Sequence, residues 1–435
     1  MTPGLRSRMS KAATELGRLL KYEGAGTVEF IVDAKTGEFY FLEVNTRVQV
    51  EHPITEETTL VDIVALQIYV ASGGLLSSLP YLKNLKQHVY PHFVPTDIQG
   101  HAIELRLCAE DPTNNFLPCT GTIRLLSTIH QTTSSTIPHI RYETGVETGS
   151  EISVYFDPMI AKIVVWAIDR PSAIRLAKRV LANTTILGLG TNQEFLGQCL
   201  AHPGFLDKNY TTGFIERYRE DLFREVGGEN ERIAVLTSGF LKYIADSERQ
   251  VNGAFRSISS KFRVQTMDRS SVKAEHITVG GKGYMVQYLP RRGEATDTVQ
   301  VWEIPEQKLD DKQKAKFLNK AGGALVHRYY NAMTIPANPR TMEISIVHAT
   351  LRRQGKIPDQ WIEANVTVQL DGTIKTVFVA TEGDWHSRDD SPQTVWIHVP
   401  ELCAGIKSVR RSSLTFAGRL DERTTGSAAE LGKVL

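Results

Sequence analysis

In the run Glu43-Val44-Asn45-Thr46-Arg47-Val48-Gln49-Val50-Glu51-His52, five polar groups of different kinds recur at every second position. Side chains alternate along an extended chain, so Glu43, Asn45, Arg47, Gln49 and Glu51 would share one face while Val44, Val48 and Val50 take the other. A solvated amphipathic strand is the competing reading of such a pattern. Just upstream, Thr27 to Asp33 and Glu38 to Val44 are rich in β-branched and aromatic residues, and Ala34-Lys35-Thr36-Gly37 supplies a turn between them. This predicts a hairpin that sets Glu29 roughly opposite Glu43. Like charges across a strand pair destabilise a sheet unless something neutralises them. A hard divalent cation would do so: magnesium takes few protein carboxylates and fills its other positions with water or phosphate oxygens, which suits two glutamates beside a nucleotide. The alternative is a surface hairpin whose carboxylates splay apart, with Arg47 near enough to pair with either.

These residues need elements to hold them. The spacing of Leu16, Leu19 and Leu20 predicts a helix from Ser10 to Tyr22, running into Gly24 and Gly26. Beyond Pro53, Thr55 is placed to cap a helix carrying Glu56 and Glu57 in its first turn and Leu60, Ile63, Val64 and Ile68 on its apolar stripe, ending at Gly73-Gly74. Residues 75–99, with Pro80, Pro91 and Pro95, read as an irregular connection. Strands are expected at His101 to Leu107, Gly121 to Leu126 and Lys162 to Trp166, then a helix from about Ser172 to Asn183. After Gly213 the pattern is helical to about Gln250, with Ile233, Leu236, Phe240, Tyr243 and Ile244 at helical spacing. From Phe262 onward short strands dominate. Among them, Ala364 to Leu370 and Thr373 to Val379 flank Asp371-Gly372, a strong two-residue hairpin signal. The expected fold is α+β followed by a mostly β, barrel-like or sandwich domain with a helix.

A chain of 435 residues is long enough for two or three domains. Formal net charge is +1, so no overall field points to nucleic acid, membrane or an acidic tail. Cys108, Cys119, Cys199 and Cys403 form no C-x-x-C pair, which argues for four buried thiols in a reducing compartment over a disulfide framework or a zinc site. No apolar run is long enough to span a bilayer, and Met1 to Ser10 lacks both a secretory signal and an Arg-rich transit pattern. The expectation is a soluble, intracellular protein without membrane or nucleic-acid partners.

Gly24-Ala25-Gly26-Thr27-Val28-Glu29-Phe30, followed by Phe39 to Pro53, resembles the closing strands and bicarbonate loop of the biotin carboxylase family of ATP-grasp enzymes. Gly100-His101-Ala102-Ile103-Glu104, Arg106, Ala109-Glu110-Asp111-Pro112, Asn115-Phe116-Leu117-Pro118 and Phe156-Asp157-Pro158-Met159-Ile160-Ala161-Lys162 extend the resemblance over residues 3 to about 220. It implies that Glu29 and Glu43, with Asn45 beside them, hold magnesium (or manganese) bridging the ATP phosphates, and that Ile31 and Leu42 line the nucleotide pocket. It further implies that Arg47, Gln49 and the Val50 amide hold bicarbonate; a planar guanidinium and neutral donors suit a small trigonal oxyanion. Glu51 would be the general base, and Arg106 would stabilise the oxyanion on the biotin ureido ring. Without the resemblance, Arg106 also reads as an arginine paired with Glu104 or Glu110.

The family's Gly-rich phosphate loop and ATP-binding lysines belong to a region that would precede Met1, so this chain alone is expected to be inactive. No Met-Lys-Met biotinylation site is present, and biotin would come from a carrier domain outside this sequence. Residues 81–95 look like an insertion, and Cys119-Thr120 stands where Ser-Pro is usual. The implied organisation is the end of the ATP-grasp domain at 1–80, the biotin carboxylase C-terminal domain at 81–225, a connecting domain at 226–424 and a linker at 425–435. Residues from about Glu229 to Arg423 look like the connecting domain of methylcrotonyl-CoA and propionyl-CoA carboxylase α subunits, a helix surrounded by a β barrel that meets the carboxyltransferase β subunit. The resemblance to methylcrotonyl-CoA carboxylase is slightly favoured. It implies an oligomer in the mitochondrial matrix, the cytoplasm being the alternative. In the connecting domain, Trp302, Tyr329 and Trp396 are expected in the core, and His327, His348, His386 and His398 to be structural, since they lack metal-ligand spacing. A carbamoyl phosphate synthetase-like ligase would lack the Gln49 to His52 run and Arg106. A non-catalytic scaffold that kept the docking domain is the remaining alternative.

Overall fold

Strands β1 (Thr27–Val32) and β2 (Phe39–Asn45) of the computed structural model form the expected antiparallel hairpin. The structure describes residues 3–33, 35–78, 99–128, 139–207, 210–223, 229–252, 274–289, 296–304, 339–354, 361–382 and 393–411. The segment 81–95, the Thr132–Thr136 loop, Tyr329, His327, His386 and the linker at 425–435 lie outside them. The hairpin turn is built by Asp33, whose Oδ1 accepts from the Lys35 amide at 2.8 Å, and by Gly37 at φ 70°. Glu29 stands opposite Glu43, but Phe30 pairs with Phe41, so Leu42 is the extra residue of a bulge that interrupts the alternation.

The chain divides into two compact units, one of residues 1–107, 131–144 and 161–180, the other of 108–130, 145–160 and 181–435. In the first, helix α1 spans Pro3–Leu19, beginning earlier than the leucine spacing suggested. The single helix expected from Thr55 is instead two. Helix α2 (His52–Thr59) carries Pro53 in its first turn, where a missing N–H costs nothing, and ends at Leu60 in the left-handed conformation at φ 57°. Helix α3 (Ile63–Ala71) is capped by Asp62, whose Oδ1 accepts from Ala65 N at 2.7 Å; Thr55 caps nothing. A three-stranded sheet follows, in the order β3 (His101–Cys108), β5 (Met159–Ala167), β4 (His139–Thr144). β5 is buried along almost its whole length, and helix α4 (Arg170–Ala182) follows it with Ala173, Ile174 and Ala177 buried. Gly100, at φ 63°, leads into β3 where a Cβ would meet the Ala167 carbonyl at 2.4 Å, which accounts for glycine there.

In the second unit eight strands close an antiparallel barrel: β6 (Ala274–Val279), β7 (Lys282–Leu289), β8 (Asp297–Ile304), β9 (Arg340–Gln354), β10 (Trp361–Leu370), β11 (Thr373–Glu382), β12 (Gln393–Val399) and β13 (Ala404–Arg411). Ile362, Ala364, Val366, Val368 and Leu370 enter the core at a period of two, and the turn to β11 is the expected Asp371-Gly372 pair, both at positive φ. Helix α5 (Glu229–Asn252) is buried at every position from Ile233 to Leu241 and packs against β6, β7, β8, β9, β12 and β13. A helix buried all round must satisfy its polar residues locally. Thr237 meets the Ser408 hydroxyl at 2.7 Å and Ser238 donates to Glu275 at 2.6 Å. The same unit joins the barrel to earlier residues: Arg124 pairs with Glu382 at 2.9 Å and lies over the Trp361 ring, while Ala182 O meets His398 Nε2 at 2.8 Å. Trp302 and Trp396 are buried as expected. The four cysteines are only half-buried, not fully enclosed as expected. Burial pushes the Cys199 thiol up to about 11, which leaves it unreactive.

Candidate functional site

The hairpin register brings two carboxylates together, and neutral amides hold them. Asn45 Nδ2 donates to Glu29 Oε1 at 2.7 Å and to Glu43 Oε1 at 3.1 Å, and Gln49 Nε2 reaches Glu29 Oε1 at 3.1 Å. The expectation that Glu43 to Glu51 continue one strand face is corrected: β2 ends at Asn45, Arg47 lies in a bend, and Val50 and Glu51 in a turn. Gln49 still reaches the Glu29 carboxylate from beyond the end of β2. Arg47 pairs with neither glutamate; its Nη1 donates to the Val48 carbonyl at 3.4 Å.

Two opposed carboxylates and an amide make a hard, oxygen-rich donor set once the Asn45 amide turns its oxygen inward, an exchange that leaves its shape unchanged. Among the described residues no third His, Cys, Asp or Glu joins them as a metal cluster. A cation of magnesium type fits this set, with water or phosphate oxygens completing its shell.

Glu51 takes part in a second group. Its Oε2 accepts from Arg106 Nη2 at 2.8 Å, and Arg106 Nε lies 3.3 Å from Glu104 Oε1. The reading of Arg106 as an arginine paired with Glu104 is observed, and the same guanidinium also pairs with Glu51. Burial pushes the Glu104 carboxyl above its ordinary value despite Arg106 and Lys162 nearby. Ile31 and Leu42, expected beside a nucleotide, are 60% and 57% exposed. Tyr40 and Phe41 are also exposed, so this hairpin presents an uncovered apolar surface next to the carboxylates.

Beneath the loop lies a charge network that the sequence reading missed. Lys162, on β5, donates to the Val50 carbonyl at 3.0 Å and pairs with Glu143, which also pairs with Arg141. Arg141 Nη1 reaches Glu56 Oε2 at 2.6 Å, and Glu56 Oε1 accepts from the Ile63 amide at 2.6 Å. Burial pushes the Glu143 carboxyl up, but the Lys162 and Arg141 cations outweigh it and hold the group below its ordinary value. The available signal was Lys162 itself, a lone cation inside the apolar run Met159–Ala167. In the barrel, His348 is bonded to Thr350 and His398 is buried against Ala182; among the described residues no metal cluster forms there either.

Residues 104–217 match the biotin carboxylase C-terminal domain, and residues 1–79 match the carbamoyl-phosphate synthase L chain, ATP binding domain. The chain is 43% identical over 222 residues to the mitochondrial methylcrotonoyl-CoA carboxylase α subunit of Mus musculus, covering 51% of this chain and 28% of that protein. The corresponding subunit of Dictyostelium discoideum is 41% identical over 273 residues, covering 62% and 36%. The biotin carboxylase of a Nostoc species is 38% identical over 216 residues, covering 49% and 43%. The matched stretch thus spans less than half of each of these relatives. Among solved structures, the complete multifunctional pyruvate carboxylase of Rhizobium etli aligns at 34% identity with a TM-score of 0.45, over 56% of this chain and 22% of that one.

Proposed function

We propose, for a chain that carries the biotin carboxylase C-terminal domain and an adjoining ATP-binding segment, that it serves the biotin-carboxylating step of an acyl-CoA carboxylase α subunit of the methylcrotonyl type. The observation that carries this reading is the convergence of Glu29, Glu43, Asn45 and Gln49 at the hairpin end, with Glu51 of the same loop paired to Arg106 on β3. Glu29 and Glu43, with Asn45, would hold magnesium or manganese, which would neutralise the ATP phosphates. Ile31 and Leu42 would lie against the nucleotide, covering surface that is exposed in this chain. Arg47, Gln49 and the Val50 amide would hold bicarbonate, Arg47 swinging from the Val48 carbonyl to do so.

Glu51 would take the bicarbonate proton, so that the oxygen's electron pair attacks the γ-phosphorus as its bond to ADP breaks. Arg106, released from Glu51 as that carboxylate is protonated, would present its guanidinium to biotin delivered on a carrier domain. The barrel would dock the carboxyltransferase β subunit, within an oligomer in the mitochondrial matrix, as the named location of the mouse and Dictyostelium relatives suggests. The test is ATP hydrolysis dependent on bicarbonate and stimulated by free biotin, measured on the full-length protein. Glu51→Gln is expected to lower that rate on the order of a hundredfold or more while leaving nucleotide binding intact. Hydrolysis that survives the substitution unchanged would remove Glu51 from the role of base.

A further inference from the structure

The buried lysine of β5 has one partner more than charge balance requires. Its side chain is only 11% exposed, between Ala161 and Ile163, which are themselves buried. A buried ammonium needs a counter-charge, and Glu143 supplies it. Its bond to the Val50 carbonyl at 3.0 Å is additional, and it spans 112 positions of sequence to reach the loop that carries the candidate chemistry. The loop's side chains are anchored by Gln49 to Glu29 and by Glu51 to Arg106, and its carbonyls by other bonds. Gln49 O accepts from His52 N at 3.2 Å and from His52 Nδ1 at 2.7 Å, and Glu51 O accepts from Ile54 N at 3.1 Å. These bonds hold the carbonyls on either side of Val50 within the loop's own turn, and among the described residues Lys162 ties the intervening one to the sheet. The Val50 carbonyl shares its peptide plane with the Glu51 N–H, so holding that oxygen also holds the N–Cα bond about which the Glu51 side chain is set.

We propose that Lys162 is a positioning residue: by holding the Val50–Glu51 peptide plane against the sheet, it places the Glu51 backbone so that the Glu51 carboxylate is presented to one small anion. Glu143 holds the ammonium in place, and Arg141 and Glu56 extend the same support to α2 and the start of α3. The inference rests on the functional reading above and adds to it a residue on another element. Supporting contacts of this kind hold reacting groups within the tolerance that catalysis needs.

The test compares the full-length wild type with Lys162→Met, Lys162→Arg and the double variant Lys162→Met/Glu143→Gln, which removes the unbalanced carboxylate. Lys162→Met is expected to lower kcat/KM for bicarbonate roughly tenfold to hundredfold, the range for losing one charge-assisted hydrogen bond, with KM for MgATP unchanged. Lys162→Arg should restore most of the loss. Backbone amide exchange, measured without substrates, should quicken at residues 49–52 in Lys162→Met and stay as in the wild type along α5. The double variant should fold and keep the defect. Unchanged exchange at 49–52, or wild-type bicarbonate kinetics in the double variant, would overturn the proposal. A wild type without bicarbonate-dependent hydrolysis would instead overturn the functional reading, and the exchange measurement would then decide the clamp by itself.

Discussion

Glu56 shows how a residue's surroundings override its local pattern. By position it reads as an exposed acid in the first turn of a helix, favourable there through the helix dipole. In the structure it is 7% exposed, and both of its oxygens are used, one by the Ile63 amide and one by Arg141. It joins the end of one helix to the start of the next and to the sheet. Glu56→Ala leaves the Ile63 amide without its acceptor and Arg141 with one partner fewer. The expected loss is about 3 kcal/mol, seen as a lower urea midpoint for the transition that reports on the first unit. Glu56→Gln, which can still accept from Ile63, is expected to lose less.

At the scale of elements, the barrel and its helix follow from two periods superposed, two in the strands and 3.6 in α5. The barrel is joined to earlier residues of its own unit by an apolar cluster of Leu187 with Ala380 and Trp396 and by polar contacts, among them His398 on β12. Burial holds the His398 imidazole below its ordinary value of 6.5, more strongly than its bond to Ala182 O raises it. The folded state therefore binds its proton less readily than the unfolded chain does. This contribution to stability is complete above about pH 6.5 and is lost as the pH falls toward the depressed folded value. His398→Gln, which keeps a donor for Ala182, is expected to flatten the fall in melting temperature between about pH 7 and pH 5. An unchanged pH profile would assign the acid sensitivity to other groups.

Across the whole molecule, burial is very unequal. Between residues 3 and 78 the described apolar residues include one buried side chain, Pro53, whereas the core of the other unit takes in α5 and all eight barrel strands. Leu19, Leu20, Ile31, Tyr40, Phe41 and Leu42 are exposed. Local opening is easiest where few apolar contacts must be broken. Amide exchange is thus expected to be fastest along α1, β1 and β2 and slowest in α5 and β10, with MgATP slowing the hairpin if the carboxylates hold its cation. Equal protection in both regions would contradict this.

The parts of this protein that the amino-acid sequence determined are those in which cause and effect lie close along the chain. Asp33 and Gly37 make a turn, the turn sets a register, and the register puts Glu29 against Glu43 within reach of Asn45. Asp371-Gly372 does the same for β10 and β11. Leu60 was misread as part of a helix stripe because propensity does not show where a backbone turns left-handed, and the bulge at Leu42 is equally silent. The tertiary structure alone decided which charges are buried. Lys162 meets Val50 across 112 positions, Arg141 meets Glu56 across 85 and Arg124 meets Glu382 across 258. Whether a charge stays in water or must find a partner depends on which strands and helices cover it, and no spacing along the chain carries that information.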